Sequence, residues 1–114
     1  MVVLRGQIWW ADLGEPRGSS PGYMRPVIIV QADNFNKTKL NTVIVAIITR
    51  NLRLAQMPGN VAVSSRVSGL ESDSVINITQ LITLDRTDLL EHLGTLPENK
   101  MDQVSEGLAL VLAL

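Results

Sequence analysis

Short apolar runs separated by polar turn segments organise the first three quarters of the chain. Residues 7–13 read as a first strand and carry Trp9 and Trp10 side by side. Neighbouring side chains of a strand point to opposite faces, so one tryptophan is expected in the core and the other at an edge or interface. Residues 14–22 hold three glycines and two prolines in nine positions and read as a loop. Its length suits a functional loop better than a plain hairpin turn. Arg25 and Pro26 then open the run Val27, Ile28, Ile29, Val30. This is the pattern of a buried strand, with the proline tolerated at its start. After a polar turn at 33–38, residues 42–49 are apolar almost throughout and predict a central strand. A Pro58-Gly59-Asn60 turn precedes a short strand at 61–63, and 64–73 is a polar connection. Residues 74–83 read as a fifth strand, with Ile76, Ile78, Gln80 and Ile82 on a buried face and Asn77 and Thr79 on a partly wet one.

The last quarter changes period. Residues 85–93 start acidic and stop at Gly94, which predicts a short helix. Thr95 and Glu98 have the spacing of a capping box, with Pro97 inside the first turn. Met101, Val104, Leu108 and Val111 follow at three- and four-residue steps, so a helix is expected from Pro97 to the end. Five strands followed by one long helix, without βαβ alternation, predict a mainly β fold: a small curled antiparallel sheet or partial barrel with a C-terminal helix packed on it.

Composition narrows the function classes. At 114 residues the chain is one domain, 1–114. Cysteine is absent, which excludes disulfides and thiolate metal sites, and a single histidine makes a histidine-based metal site or a Ser-His-Asp triad a poor fit. Charged residues are only 18% against 46% hydrophobic, light for a small domain that must cover its own surface. Burial of part of that surface against a second copy is the simplest remedy, so a homodimer is expected. The start of the chain has no basic run leading an apolar stretch, and no apolar run approaches the ~20 residues that span a bilayer. A cytoplasmic protein without membrane contact is expected. The net charge of −1 means that any nucleic-acid binding must use a local patch.

The chain has no Gly-x-Gly-x-x-Gly, Walker loop, His-Glu-x-x-His or Gly-x-Ser-x-Gly. Its acids (Asp12, Glu15, Asp33, Glu71, Asp73, Asp85, Asp88) are scattered, which favours a reaction without metal or other cofactor and reads most of them as solvated loop or helix-start residues. Arg25 lies between the glycine-rich loop and an apolar strand. An arginine there presents several N–H donors in a fixed fork suited to phosphate, although the same position also suits a solvated strand flank. Thr49 ends the most apolar strand, followed by Arg50 and Asn51. Strand ends beside loops commonly hold functional polar groups, while β propensity alone also accounts for a threonine. Arg17, Ser19, Ser20 and Tyr23 are placed to line the same mouth, and Arg50, Arg53 and Arg66 to form a basic track. Trp9, Trp10 and Phe35 suit base stacking or, more simply, packing, and His92 reads as a surface residue near a helix end.

Taken in order, these segments resemble the MazF/PemK family, the toxin halves of type II toxin–antitoxin pairs. The likeness begins with Arg5-Gly6-Gln7-Ile8-Trp9-Trp10-Ala11-Asp12-Leu13 and continues through Pro16-Arg17-Gly18-Ser19 and Arg25-Pro26-Val27-Ile28-Ile29-Val30. It runs on through Ile47-Ile48-Thr49-Arg50-Asn51-Leu52, Leu70-Glu71-Ser72-Asp73-Ser74-Val75-Ile76-Asn77 and Gln80-Leu81-Ile82-Thr83-Leu84-Asp85, and so covers essentially the whole chain. The resemblance implies an SH3-like barrel with a long C-terminal helix, assembled as a homodimer. It implies an endoribonuclease that cuts single-stranded RNA at short specific sequences without a metal, by attack of a ribose 2′-OH on the adjacent phosphate. Arg25 matches the family's catalytic arginine and Thr49 its catalytic threonine or serine. Arg17, Ser19, Ser20, Tyr23, Arg50, Asn51, Asn77, Thr79 and Gln80 fall on the segments that would contact RNA. The implied partner is a cognate antitoxin with an acidic disordered segment, and DNA would be met only through that complex.

The chain departs from the family pattern at three places. Ser20 stands where many relatives have Glu, Arg50 where many have Ser, and Thr79 where several have Glu or Asp. A threonine does not transfer protons at neutral pH, so the general base is left unassigned, and Arg50 adds charge beside the site. Ser20 and Thr79 keep open a non-catalytic RNA-binding or regulatory protein on the same barrel. A gyrase-targeting toxin is a third reading by fold analogy, which Arg25 beside Thr49 disfavours.

Overall fold

The structure is a computed structural model and describes residues 2–19 and 22–114. The strands are β1 (Gln7–Asp12), β2 (Met24–Ile29), β3 (Thr42–Thr49), β4 (Val61–Val63), β5 (Ser74–Asp85) and β6 (Leu89–Thr95). Two single-turn helices, α1 (Asp33–Asn36) and α2 (Ser65–Ser68), lie in connections, and α3 (Glu98–Leu112) ends the chain. The strands form one antiparallel sheet in the order β4-β5-β3-β2-β1-β6, the curled mainly β fold with a C-terminal helix that the pattern predicts. No helix among the described residues is long and apolar enough to cross a membrane.

Alternation along the strands builds a core on each face of the sheet. Ile8, Ile28, Ala46, Ile48, Ile76 and Ile78 face α3 and pack against its Met101 and Val104, with Leu108 and Val111 at the margin. On the other face, Trp9, Ala11, Val27, Ile29, Val45 and Ile47 make a second cluster. Trp9 is 8% exposed and Trp10 37%, so the tandem tryptophans divide between core and surface as strand geometry requires. β3 is covered on both faces, which is why its sequence is nearly continuous hydrophobe.

Four expectations are corrected. The stretch after Asp85 forms a 3-10 turn at Arg86–Asp88 and then β6, not a helix, so the sheet has six strands. Pairing with β1, with Gln7 opposite Thr95 and Trp10 opposite Glu91, outweighs a weak helical pattern. Gly94 is therefore no helix stop. A Cβ there would lie 2.4 Å from the Ser68 carbonyl oxygen, and one on Gly69 2.9 Å from that of Leu93. This close backbone approach ties the connection after β4 to β6, and so brings the two ends of the strand order together. The capping box is not made either: Pro97 is the N-cap of α3 without a side-chain cap, and Thr95 closes β6 with its hydroxyl 3.3 Å from His92 Nε2. His92 accordingly lies on β6, where its ring stacks on Trp9 with centroids 5.4 Å apart.

The fourth correction concerns the faces of β5. Leu81 pairs with Ala46, but the next β3 residue, Ile47, pairs with Asn77, so residues 78–80 are an insertion in the ladder. An odd insertion moves the following residues to the other face. Ile76 and Ile78 therefore sit in the cluster under α3, while Ile82 packs on the opposite one. Asn60 pins this bulge. Its Nδ2 donates to the Leu54 carbonyl (2.9 Å) and to Asn77 Oδ1 (3.3 Å), and its Oδ1 accepts from the Ile78 N–H (2.9 Å).

Candidate active site

The start of β2 and the end of β3 meet at one end of the sheet, beside the loop 13–23. The β2–β3 ladder runs from Ile29↔Val45 to Val27↔Ile47 and stops there, although both strands continue for more residues. Pro26 has no N–H to extend it. Continued by two places, the same register sets Arg25 opposite Thr49. Directly opposed residues share a face with Cβ atoms about 5 Å apart. Arg25 is exposed and pairs on its other side with Ala11 of β1. Thr49 is half-buried, and its Oγ accepts from the Asn51 N–H at 3.2 Å. Asn51 in turn accepts from the Arg53 N–H (3.3 Å) and caps the 3-10 turn Leu52–Gln56.

The loop that leads into β2 is held shut at its base. The Leu13 N–H donates to the Tyr23 carbonyl at 2.9 Å, and the Tyr23 N–H donates to Gly14. Tyr23 has φ +60, a left-handed conformation that costs a non-glycine residue roughly 1–2 kcal/mol, and it is 66% exposed. Strain of this kind persists where surrounding structure imposes it, commonly beside a functional site.

A cleft of about 820 Å³ opens next to Arg25. Trp10, Pro26, Ile48 and Ser74 line it from four different strands; Gly69, Leu70, Glu71 and Ser72 contribute from the connection before β5, and Glu91 and Leu93 from β6. Tyr23, Arg25 and Arg50 belong to the same lining. Of the residues singled out from sequence, these three and Trp10 line the cleft; Thr49 does not, since its neighbour Ile48 faces the cleft and Thr49 the other side of the sheet. Asn77, Thr79 and Gln80 lie on β5 at its bulge; Asn77 is opposite Ile47, on the face that carries Thr49, and its Oδ1 accepts from Thr79 Oγ1 at 3.2 Å. Arg17 and Ser19 are exposed on the loop and do not line the cleft. Ser20 lies outside the described residues. Phe35, on α1 past the far end of β2, sits at the opposite end of that strand from Arg25 and so cannot serve this site.

Two contributors escape sequence reading: Glu71 reads as a solvated loop acid, and Glu91 falls in a misread helix. Among the described residues no three of His, Cys, Asp or Glu come together to hold a metal. The carboxyls with shifted pKa, Asp33 and Asp85, flank other turns and do not line the cleft. The arrangement is an arginine and a hydroxyl at neighbouring strand ends, level by register, with an apolar, partly acidic cleft that Arg25 also lines. A guanidinium and a hydroxyl so placed can bind a phosphodiester.

Known proteins share this plan. The family described as PemK-like, MazF-like toxin of type II toxin-antitoxin system matches residues 4–112. Endoribonuclease MazF6 of Mycobacterium tuberculosis (strain H37Rv) is 47% identical over 114 residues, covering 100% of this chain and 100% of that protein. Among solved structures, an endoribonuclease from Mycobacterial species superposes with a TM-score of 0.80 at 25% identity, covering 100% of this chain and 94% of that one. An endoribonuclease in complex with its cognate antitoxin, also from Mycobacterial species, superposes with a TM-score of 0.75 at 26% identity, covering 99% and 95%.

Proposed function

Because the chain belongs to the PemK-like, MazF-like toxins of type II toxin–antitoxin systems, we propose that it is a sequence-specific, metal-independent endoribonuclease, with Arg25 and Thr49 acting on the scissile phosphate of single-stranded RNA. The observation that supports this reading is the β2–β3 register, which, carried two places past its last pair, Val27 with Ile47, brings Arg25 and Thr49 level on one face. The ribose 2′-oxygen attacks the adjacent phosphorus as its proton is removed. The bond to the 5′-oxygen breaks, and that oxygen takes up a proton. The products are a cyclic 2′,3′-phosphate and a free 5′-OH. Negative charge grows on the non-bridging oxygens of the five-coordinate phosphorus, and the Arg25 guanidinium offers it paired N–H donors. The Thr49 hydroxyl orients the phosphate or the nucleophile. The role of Arg25 is electrostatic, through those donors.

The active unit is a homodimer. On α3 and just beyond it, Leu110, Leu112 and Leu114 leave apolar surface uncovered. The partner is an acidic, partly disordered antitoxin segment that competes with RNA for the arginines. Its RNA substrate places the work in the cytoplasm. The test is incubation of the purified protein with mixed single-stranded RNA in EDTA, mapping the ends produced. Cyclic-phosphate and 5′-OH ends at a short recurring sequence are expected, with DNA of that sequence uncut because it lacks the 2′-OH. Arg25→Ala abolishes cutting. Thr49→Ala slows it about 10²–10³-fold, the loss seen for one donor to a developing oxyanion. Undiminished cutting by Arg25→Ala refutes the assignment, and RNA held but never cut refutes the nuclease.

A further inference from the structure

On the face of the sheet that carries Thr49, two linked side-chain amides end in a donor that the fold leaves unused. Ile76 and Ile78 both belong to the core under α3, so Asn77 between them points to the opposite face. Asn77 pairs with Ile47, and Val75 pairs with Thr49. Thr49 and Asn77 are therefore diagonal neighbours on adjacent strands, with Cβ atoms about 7 Å apart. Asn77 is half-buried, and Thr79, bonded to it, is exposed.

The direction of the Asn77 amide is imposed by Asn60. Asn60 Oδ1 accepts from the Ile78 N–H and its Nδ2 donates to the Leu54 carbonyl, both at 2.9 Å. A backbone N–H only donates and a carbonyl only accepts, so these two bonds settle which end of the Asn60 amide is which. The same Nδ2 donates to Asn77 Oδ1 at 3.3 Å, and Thr79 Oγ1 donates to that oxygen at 3.2 Å. Both lone pairs of Asn77 Oδ1 are thus engaged, and its Nδ2 is turned away from Asn60. Among the described residues that nitrogen has no hydrogen-bond partner, and the buried side-chain nitrogen left without one is Arg86 Nε, so Asn77 Nδ2 is open to solvent.

Resting on the nuclease reading above, we infer that Asn77 is a further catalytic residue, its Nδ2 donating to a non-bridging oxygen of the scissile phosphate beside Thr49, and that Asn60 is the positioning residue that turns this donor outward. The Thr49 oxygen accepts from the Asn51 N–H, which leaves the hydroxyl hydrogen to donate. Two oxygens of one phosphate, each accepting at about 2.9 Å, span the gap between that hydroxyl and the amide. Donors from β2, β3 and β5 then surround the phosphorus as charge grows on its oxygens. Reversed, the same amide would aim a carbonyl oxygen at that charge, and the bond from Asn60 prevents the reversal.

The experiment uses single-stranded RNA carrying the mapped cut site, with sulfur in place of each non-bridging oxygen of the cut phosphate in turn. Sulfur is the weaker acceptor. The unaltered protein is expected to cut one thio form about tenfold more slowly than the other, the low end for a hydrogen bond to a charged group. Asn77→Ala is expected to lose that preference. Asn60→Asp is expected to lose it too, because its carboxylate takes the Ile78 N–H and draws the Asn77 amide round. A ratio of two rates does not depend on how much of a variant is folded. On unmodified RNA, Asn77→Asp is expected to cut more slowly than Asn77→Ala, since it sets a carboxylate against the phosphate. A purely structural role predicts the opposite order, because the aspartate keeps both incoming bonds. If Asn77→Asp cuts at least as fast as Asn77→Ala, or if the thio preference is missing from the unaltered protein or survives in Asn77→Ala, the assignment of Asn77 is overturned while the nuclease stands. A preference lost in Asn77→Ala and kept in Asn60→Asp overturns the positioning role of Asn60. If the unaltered protein cuts no RNA, the nuclease reading falls and the inference falls with it.

Discussion

Gly107 sits in the middle of α3, where helix propensity says that alanine should be better. In an unobstructed helix Gly→Ala gains about 1 kcal/mol, because alanine has less backbone freedom to lose on folding. Here the added Cβ would lie 2.1 Å from the carbonyl oxygen of Gly59 and 3.1 Å from its carbonyl carbon. Ordinary van der Waals contact begins near 3.4 Å, so α3 and the turn at 58–60 must part by more than an ångström. That turn cannot yield freely, since Gly59 has φ +91 and its neighbour Asn60 is tied to Leu54, Asn77 and Ile78. Overpacking of this kind costs about 1–3 kcal/mol and overcomes the propensity gain. Gly107→Ala is therefore expected to lower Tm by several degrees, taking roughly 4 °C per kcal/mol for a domain near this size. Thermal unfolding by circular dichroism at fixed protein concentration measures it, with the exposed Gln103→Ala as a control that stays within about 0.5 kcal/mol of the parent. A raised or unchanged Tm for Gly107→Ala would show that α3 does not seat on the 58–60 turn as described.

Two further outcomes are expected. Asn60→Ala removes all three hydrogen bonds that pin the β5 bulge and leaves the Ile78 N–H without its partner, so a loss of about 1–3 kcal/mol is expected. Faster hydrogen exchange at the Ile78 amide would report it directly, and unaltered protection there would contradict the pinning role. Acid stability should depend on Asp33, whose carboxyl is held below its ordinary pKa chiefly by the Arg5 N–H, with Asn36 adding a second donor and burial opposing both. Its folded pKa lies below its unfolded one. The stabilisation is thus complete above the unfolded value of about 3.9 and disappears as pH falls through the folded value. Asp33→Asn should flatten that acid limb in a series of unfolding curves, and an identical pH profile for both proteins would count against the linkage.

What could be read from residues alone follows from how locally each feature is determined. β1, β3, β4 and the face of α3 were legible because a single period and its turn signals define each of them. β6 was not, because Leu89, Leu90 and Leu93 with acidic neighbours satisfy a helical pattern, and only the partner strand β1 decides for extension. The bulge in β5 is invisible for a related reason. Ile76 and Ile82 share parity, and nothing in the residues between them announces that an odd insertion sends them to opposite cores. Arg25 and Thr49 stood out because each adjoins a strongly apolar strand at a loop. The cleft did not, since its walls come from β6 and from 69–72, segments remote in the chain from Arg25.

The irregular features share one part of the molecule. Pro26 stops the ladder on one side of the β2–β3 pair, residues 78–80 interrupt the ladder on the other side of β3, and Tyr23 takes a left-handed conformation where the loop enters β2. Each would weaken a sheet placed elsewhere. Here they lie next to Val27, Ile47 and Ile48, all buried to within 2% of full coverage, so the backbone on which Arg25 and Thr49 stand is fixed by packing a residue or two away. A rigid frame that ends abruptly leaves side chains ordered at their roots and free at their tips. That condition favours transition-state stabilisation, because donors already in place need not reorganise as charge develops. The broken ladder and the dense core beneath it are therefore parts of one arrangement: the core holds the backbone of the two residues in position, and the break leaves Arg25 exposed, as the proposed contact with a phosphate requires.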